Sequence, residues 1–374
     1  MTADQIPLVD LVAQDREIRT EVLAGWAKVL DATAFIGGSA VREFERAFAD
    51  VSGVAHCVGV GNGTDALKLA LRAAGLKPGD EVIVPANSFI ASAVAVVEAG
   101  GRPIFADCDP EYLLLDPAAV EVAITSRTGF IMPVHLFGQM APMTEIMALV
   151  KRHNLEVIED AAQCQGASQL GQPAGTWGIA AGTSFYPGKN LGAYGDAGAV
   201  LTDDADLAQK VRALGNYGSL VKYEHPELGT NSRLDALQAV VLLAKLKRLS
   251  GWNRDRAEAA NYYSVNLGSG IRLPAVCLDN RSVWHIYAVR VVAEVRDRVL
   301  ATLIEAGIGA GIHYPKPIHL QGAFAGHGHR EGDFPVAEAA AREMISLPLS
   351  PHITHIQQDR VMEELTKALL EVGA

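Results

Sequence analysis

Residues 58–71 read VGVGNGTDALKLAL, a β-rich run that breaks at alternate glycines, Gly59, Gly61 and Gly63, and passes straight into a helix-patterned segment. Over 64–74 the residues Leu67, Ala70, Leu71 and Ala74 fall at i, i+3, i+4 and i+7, one helix face, and Gly75 supplies a C-cap. A strand that turns through glycines into a helix is a βα unit. Its helix N-terminus presents backbone N–H groups which, with the Thr64 hydroxyl, suit a phosphate. The same residues also fit a plain βα turn built on Asn62-Gly63. A dinucleotide-binding fingerprint would need G-x-G-x-x-G and an acid near the end of the next strand. Here the glycine spacing differs and the next strand runs into Pro85-Ala86-Asn87, which opposes an NAD-dependent oxidoreductase.

Outward from this unit the pattern repeats. His56–Val60, Glu81–Pro85, Pro103–Ala106, Phe130–Val134 and Leu155–Glu159 read as strands, with amphipathic segments such as Met143–His153 between them. Repeated βα units imply an α/β fold with a mostly parallel sheet between helices. Gly182–Tyr186 and Ala197–Thr202 follow each other with a glycine-rich loop between, so they read as strands added without a crossover helix. Leu234–Leu249 predicts a long helix leaving this first domain. Beyond it lie a strand-like run at His285–Val292 and helices at Arg296–Ala306 and Gln357–Val372. We expect a large domain over 1–245 and a smaller C-terminal α+β domain over 246–374.

The chain has 374 residues, 49% hydrophobic and 20% charged, with 32 basic against 43 acidic side chains and a formal net charge of −11. That balance argues against a nucleic-acid surface, while a local basic mouth for an anionic ligand stays compatible with it. The four cysteines (Cys57, Cys108, Cys164 and Cys277) form no CxxC pair, and no histidine cluster has metal-ligand spacing, so no metal is expected. They read as reduced thiols in a cytoplasmic protein. The N-terminal MTADQIPLVDLVAQDRE has no apolar core of a signal peptide, and stretches such as Ala91–Ala99 are too short to span a bilayer.

In an open α/β sheet ligands bind beyond the C-terminal ends of the strands. PANSFIASA (85–93) places Phe89 just after one strand, where a ring could cover a flat ligand or simply join the core. VIEDAAQCQGA (157–167) ends a strand at Asp160, a helix cap by one reading and a partner for a heteroaromatic nitrogen by another. GTSFYPGKNLGAYGDAGA (182–199) carries a single basic side chain, Lys189, on a tight glycine turn beside an uncharged strand. A lysine partly desolvated there has a lowered pKa and a nucleophilic amine. A phosphate cup, an acid for a ring nitrogen, an aromatic face and such a lysine are together what pyridoxal 5′-phosphate requires. Ser184, five residues before Lys189, could add a phosphate hydrogen bond.

These segments resemble the DegT/DnrJ/EryC1/StrS family of sugar aminotransferases, pyridoxal-phosphate enzymes of fold type I. FIGGSAVREFERAF, GNGTDALKLAL, PANSFIASA, IEDAAQCQGA, SFYPGKNLGAYGDAGA, GTNSRLDALQA, GIHYPKPIHL and ISLPLSP match the family in order along nearly the whole chain. The resemblance implies a mostly parallel seven-stranded sheet, Lys189 as the Schiff-base lysine, Asp160 on the pyridinium nitrogen and Gln163 near the ring hydroxyl. It implies Phe89 over the ring, with Thr64, Asp65 and Ser184 on the phosphate. Members are homodimers with shared sites, so Asn231 would reach the phosphate of the neighbouring subunit. Gly188 departs from the family, which favours threonine or serine there, and Gln165 stands where histidine is common.

The resemblance further implies a ping-pong transfer of an amino group from L-glutamate to a nucleotide-linked keto-sugar, with Lys189 as both anchor and proton carrier. Related sugar 3-dehydratases carry histidine in place of that lysine. LVKYEHPELGTNSRLDALQAVVL (220–242) is most similar to members acting on dTDP-3-keto-6-deoxyhexoses, for which Tyr186, His313 and Tyr314 would line the hexose and Lys222 would meet the diphosphate; Arg233 and His319 are weaker candidates. A 4-keto or UDP-linked sugar, or a cyclitol ketone, remains an alternative substrate. A non-catalytic, cofactor-binding regulatory homologue is the alternative of another class.

Overall fold

The computed structural model describes residues 5–373. Met1–Asp4 and Ala374, the outer ends of the two expected domains and the start of the N-terminal segment read above, lie outside the described residues. Seven strands form the main sheet: β1 (His56–Val60), β2 (Glu81–Pro85), β3 (Arg102–Ala106), β4 (Thr128–Ile131), β5 (Glu156–Asp160), β6 (Ala180–Ser184) and β7 (Gly198–Thr202). Their order across the sheet is β1-β7-β6-β5-β4-β2-β3. The pairs β2–β3, β2–β4, β4–β5 and β5–β6 are parallel, and β7 runs antiparallel to both β6 and β1. Six strands therefore end at the same edge, and the loop that joins β6 to β7 without a crossover helix lies there too.

Helices α1 (Leu11–Asp31), α2 (Gly38–Ser52), α3 (Gly63–Ala73), α4 (Ala91–Ala99), α5 (Pro117–Ala123), α6 (Met143–His153), α7 (Ala205–Leu214) and α8 (Ala236–Asn266) accompany the sheet. Successive strand residues point to opposite faces, so β2 sends Val82 and Val84 into a core with Leu67 and Leu71 of α3 and Val211 of α7. Its Ile83 enters the opposite core with Phe44 and Phe48 of α2 and Ile146 of α6. Both faces are thus covered, as a largely parallel sheet requires.

Three of the boundaries that differ from the sequence expectation have a clear physical reason. β4 begins at Thr128 and stops before Pro133, whose missing N–H cannot extend the ladder. β6 lies two residues earlier than expected, because Ala180–Gly182 pair with Ile158–Asp160. Helix α8 runs on through Gly251 to Asn266. A helical glycine costs roughly 1 kcal/mol, which burial of Trp252, Arg256, Ala260 and Tyr263 outweighs.

Beyond α8, β8 (Tyr287–Arg290) pairs antiparallel with β9 (Met344–Leu347), flanked by α9 (Ala293–Glu305), α10 (Pro335–Glu343) and α11 (His355–Val372). Their core joins Tyr287, Val299, Leu303, Ile345 and Leu365 with Tyr263 of α8 and with Ile6 from the N-terminal segment. Position 245/246 falls inside α8, whose Leu242 and Leu249 pack under the main sheet while Ala259, Ala260 and Tyr263 pack under the small one. Among the described residues no helix is long and apolar enough to cross a membrane, and no group of metal-ligating side chains converges.

Candidate active site

At the shared strand edge lies a cavity of about 430 Å³. Thr64, Phe89, Asp160, Gln163, Ser184 and Lys189 line it from the main sheet, with Tyr186 at its rim, and His313, Tyr314, Leu347 and Leu349 close it from the other side. Residues as far apart in the sequence as Thr64 and Leu349 thus share one space.

The phosphate-suited corner is built by Gly63. A Cβ there would come within 2.7 Å of Ser184 Cβ, so only glycine lets the start of α3 press against the end of β6. Asn62 caps the helix by accepting from Asp65 N–H at 2.8 Å. Among the described residues the N–H groups of Gly63 and Thr64 have no protein acceptor, and they stand beside the Thr64 and Ser184 side chains. Two free amides at the positive end of a helix, with two hydroxyls, fit an anion.

Asp160 ends β5 with 5% of its surface exposed. Ser92 donates its hydroxyl to Asp160 Oδ2 at 2.7 Å, and Ala162 N–H donates to Oδ1 at 3.2 Å. With its hydrogen given to the carboxylate, Ser92 receives one from Ser88 at 2.8 Å. Burial raises the Asp160 pKa, opposed by these donors and by the Lys189 charge. A buried carboxylate with so few donors is completed by a cation, such as a protonated ring nitrogen.

Lys189 sits on a turn closed by its own N–H donating to the Tyr186 carbonyl at 2.8 Å. The loop folds back so tightly that a Cβ on Gly192 would meet the Pro187 carbonyl oxygen at 2.3 Å. Burial lowers the lysine pKa to about 8, with the Asp160 charge acting against it. Its Nζ lies 3.5 Å from Nε2 of His285. A Cβ on Gly188 would touch only the Tyr186 ring at 3.7 Å, so a β-carbon has room there and nothing at that atom requires the glycine.

Gln163 accepts from Phe137 N–H at 2.8 Å and donates to the Tyr314 hydroxyl at 3.2 Å. The Tyr314 ring packs 5.4 Å from that of Phe89, which is 52% exposed and so has a bare face. His313 pairs through Nδ1 with Ser346 Oγ at 2.8 Å, and burial lowers its pKa to about 4.

Other candidates lie elsewhere. Asp65 is tied to Lys68 and to Asn62 Nδ2 outside the cavity. Asn231 is exposed and bridges to Asn216, and Arg233 donates to the Asn216 side chain at 2.9 Å. Lys222 is exposed on a surface loop over the ring of Tyr223. His319 is buried against Glu338 at 3.0 Å and does not line the cavity. Gln165 holds Thr183 Oγ1 and the Ser184 carbonyl from behind the site.

Two residues escaped the sequence reading. Ser92 was legible, since it stands one helical turn beyond Ser88 and just past Phe89. His285 was not, because its strand-like surroundings carry no spacing that relates it to Lys189.

A model of the DegT/DnrJ/EryC1/StrS aminotransferase family matches residues 16–366. A Streptomyces venezuelae dTDP-3-amino-3,4,6-trideoxy-alpha-D-glucose transaminase is 46% identical over 361 residues, 96% of this chain and 95% of that one. The crystal structure of S. venezuelae DesV in complex with a ketimine intermediate superposes with a TM-score of 0.94 at 44% identity, covering 98% of each chain. That of NtdA from Bacillus subtilis, with bound cofactor PMP, gives 0.90 at 34% identity, covering 99% of this chain and 86% of the other. With the family's blocks in order along the sequence and its residues gathered at one strand edge, the chain belongs to the DegT/DnrJ/EryC1/StrS aminotransferase family.

Proposed function

We propose that the protein is a pyridoxal 5′-phosphate-dependent aminotransferase that moves an amino group from L-glutamate to the 3-keto group of a dTDP-linked 6-deoxyhexose. The observation that carries this reading is the meeting of Lys189, Asp160 and the free amides of α3 in one cavity. When bound, the cofactor supplies an electron sink. The chain supplies the rest. Gly63 and Thr64 N–H groups with the Thr64 and Ser184 hydroxyls would hold the phosphate, Asp160 would pair as a carboxylate with the ring nitrogen, and Phe89, Tyr314 and Gln163 would contact the ring. Lys189, with a pKa near 8, has both amine and ammonium populated near neutral pH, which suits a group that takes a proton from a substrate carbon and returns it.

In this reading Tyr186, His313 and Tyr314, which line the cavity, meet the hexose. On the same reading Asn231, exposed outside its own chain's cavity, serves the neighbouring site of a homodimer, and Lys222 meets the nucleotide diphosphate. We place the reaction in the cytoplasm. The test mixes protein, pyridoxal phosphate, L-glutamate and a 3-keto sugar nucleotide, supplied in parallel as its dTDP and UDP forms, and follows 2-oxoglutarate and the amino sugar by mass spectrometry. Faster amination of the dTDP form is expected. Absence of 2-oxoglutarate with every ketone tried, 4-keto sugars and cyclitol ketones included, would overturn the reading.

A further inference from the structure

His285 has no role in the reading above, yet it lines the cavity with 9% of its surface exposed and its Nε2 lies 3.5 Å from the lysine amine. Its proton can be located from its neighbours. Asn190 donates through Nδ2 to the Val283 carbonyl at 2.8 Å, and a carbonyl can only accept. The same Nδ2 donates to Asn253 Oδ1 at 2.9 Å, and Asn253 is fixed in turn by donating to the Gln165 carbonyl at 2.8 Å. Asn190 Oδ1 therefore faces His285 Nδ1 as an acceptor at 3.2 Å, which puts the imidazole proton on Nδ1. Asn190 is 1% and Asn253 6% exposed, so water does not compete for these contacts. Burial, with the neighbouring charges of Lys189 and Arg256, holds the His285 pKa well below the ordinary histidine value, leaving Nε2 bare.

We infer that His285 is a positioning residue for Lys189: locked by Asn190 as the Nδ1–H tautomer, it offers Nε2 as an acceptor to the lysine side chain and so fixes the orientation of its amine. The 3.5 Å separation is long for a hydrogen bond, and such contacts tighten once a site is filled. His285 takes no proton in this role. It receives an N–H from the amine and, more strongly, from the ammonium, and so does not consume the lone pair that Lys189 uses as a base. The inference rests on Lys189 being the proton carrier of the proposed function.

The test measures acylation of Lys189 by acetic anhydride against pH in the full chain freed of cofactor, read by mass spectrometry. Lys189 in the wild type should titrate near 8. In His285→Phe the ammonium loses an acceptor, so the midpoint should fall by about one pH unit, while His285→Gln, whose amide oxygen accepts, should stay near the wild type. In a single turnover with pyridoxal phosphate and L-glutamate, the rate should fall about tenfold in His285→Phe and recover in His285→Gln. A midpoint that rises or stays in His285→Phe overturns the inference. A wild type that titrates as stated but does not react with glutamate would instead refute the proposed function. If neither variant folds, neutron diffraction from the wild type decides: hydrogen on Nδ1 supports the assignment, and hydrogen on Nε2 overturns it.

Discussion

Glu159 and Asp160 stand side by side at the end of β5, both buried, on opposite faces of the sheet. Glu159 receives four donors. Trp177 and Gly178 N–H groups reach Oε1 at 2.8 and 2.9 Å, and Gly175 N–H and His135 Nε2 reach Oε2 at 2.8 Å each. Ala141 N–H donates to His135 Nδ1 at 3.1 Å, which leaves the histidine proton on Nε2 for the carboxylate. Asp160 receives two donors and faces the cavity. The outcome is opposite in sign: the Glu159 pKa is lowered by its donors despite burial, and the Asp160 pKa is raised by burial despite its own. Equal burial therefore does not make equal roles. A saturated carboxylate holds loops together, and an unsaturated one awaits a ligand.

The two lysines shifted to about 8 teach the same lesson. Lys189 lines the cavity. Lys245, 1% exposed on α8, is packed over the Tyr194 ring with Gln14 Oε1 at 3.4 Å. A low lysine pKa marks a site only where it meets open space.

The largest expected effect separates the lysines. Lys189→Ala should lower turnover by a factor on the order of 10³ or more with the fold intact, while Lys245→Met should keep turnover. Comparable losses in steady-state assays would break the distinction. Asp160→Asn should cost a factor of about 10² in turnover and leave the cofactor-free melting temperature unchanged or slightly higher, because burial penalises the native carboxylate. A clear drop in melting temperature would assign Asp160 a structural role instead.

Glu159→Gln should do the reverse, destabilising the protein by about 2 kcal/mol through unpaired buried donors while the folded fraction keeps most of its activity. Denaturant titration and assays at low temperature check both halves. The smallest effect is a pH slope. Between about 8 and the ordinary lysine value of 10.5 the unfolded chain holds a proton on residue 245 that the native state has released. Stability from this group therefore rises with pH in that window. The unfolding free energy of the wild type minus that of Lys245→Met should increase with pH there, and a decrease would refute the assignment.

Much of this arrangement was legible because local pattern and global position agreed. The βα turn at 58–71, Asp160 at a strand end and Lys189 on its glycine loop each carry a signal within about ten residues, and the sheet topology then brings them together. The length of α8 was hidden by Gly251, whose cost is offset by packing that only the tertiary structure supplies. The contrast between Glu159 and Asp160 was hidden too: adjacent acids on a strand differ only in face, and apart from Ala162 N–H their donors come from Ser92, His135 and the loop at 175–178, remote in sequence. His285 was hidden for the same reason, since what fixes it is a chain of amides from Asn190 and Asn253.

The proposed function stands on Lys189 and Asp160 forming a working cofactor site. The most direct test is the visible absorption of the purified protein with pyridoxal phosphate, before and after L-glutamate is added without any sugar. The prediction is a protein-bound band, absent in Lys189→Ala, that glutamate bleaches. A missing band would contradict the reading of the lysine and the phosphate corner, and a band that glutamate leaves unchanged would contradict the proposed donor reaction.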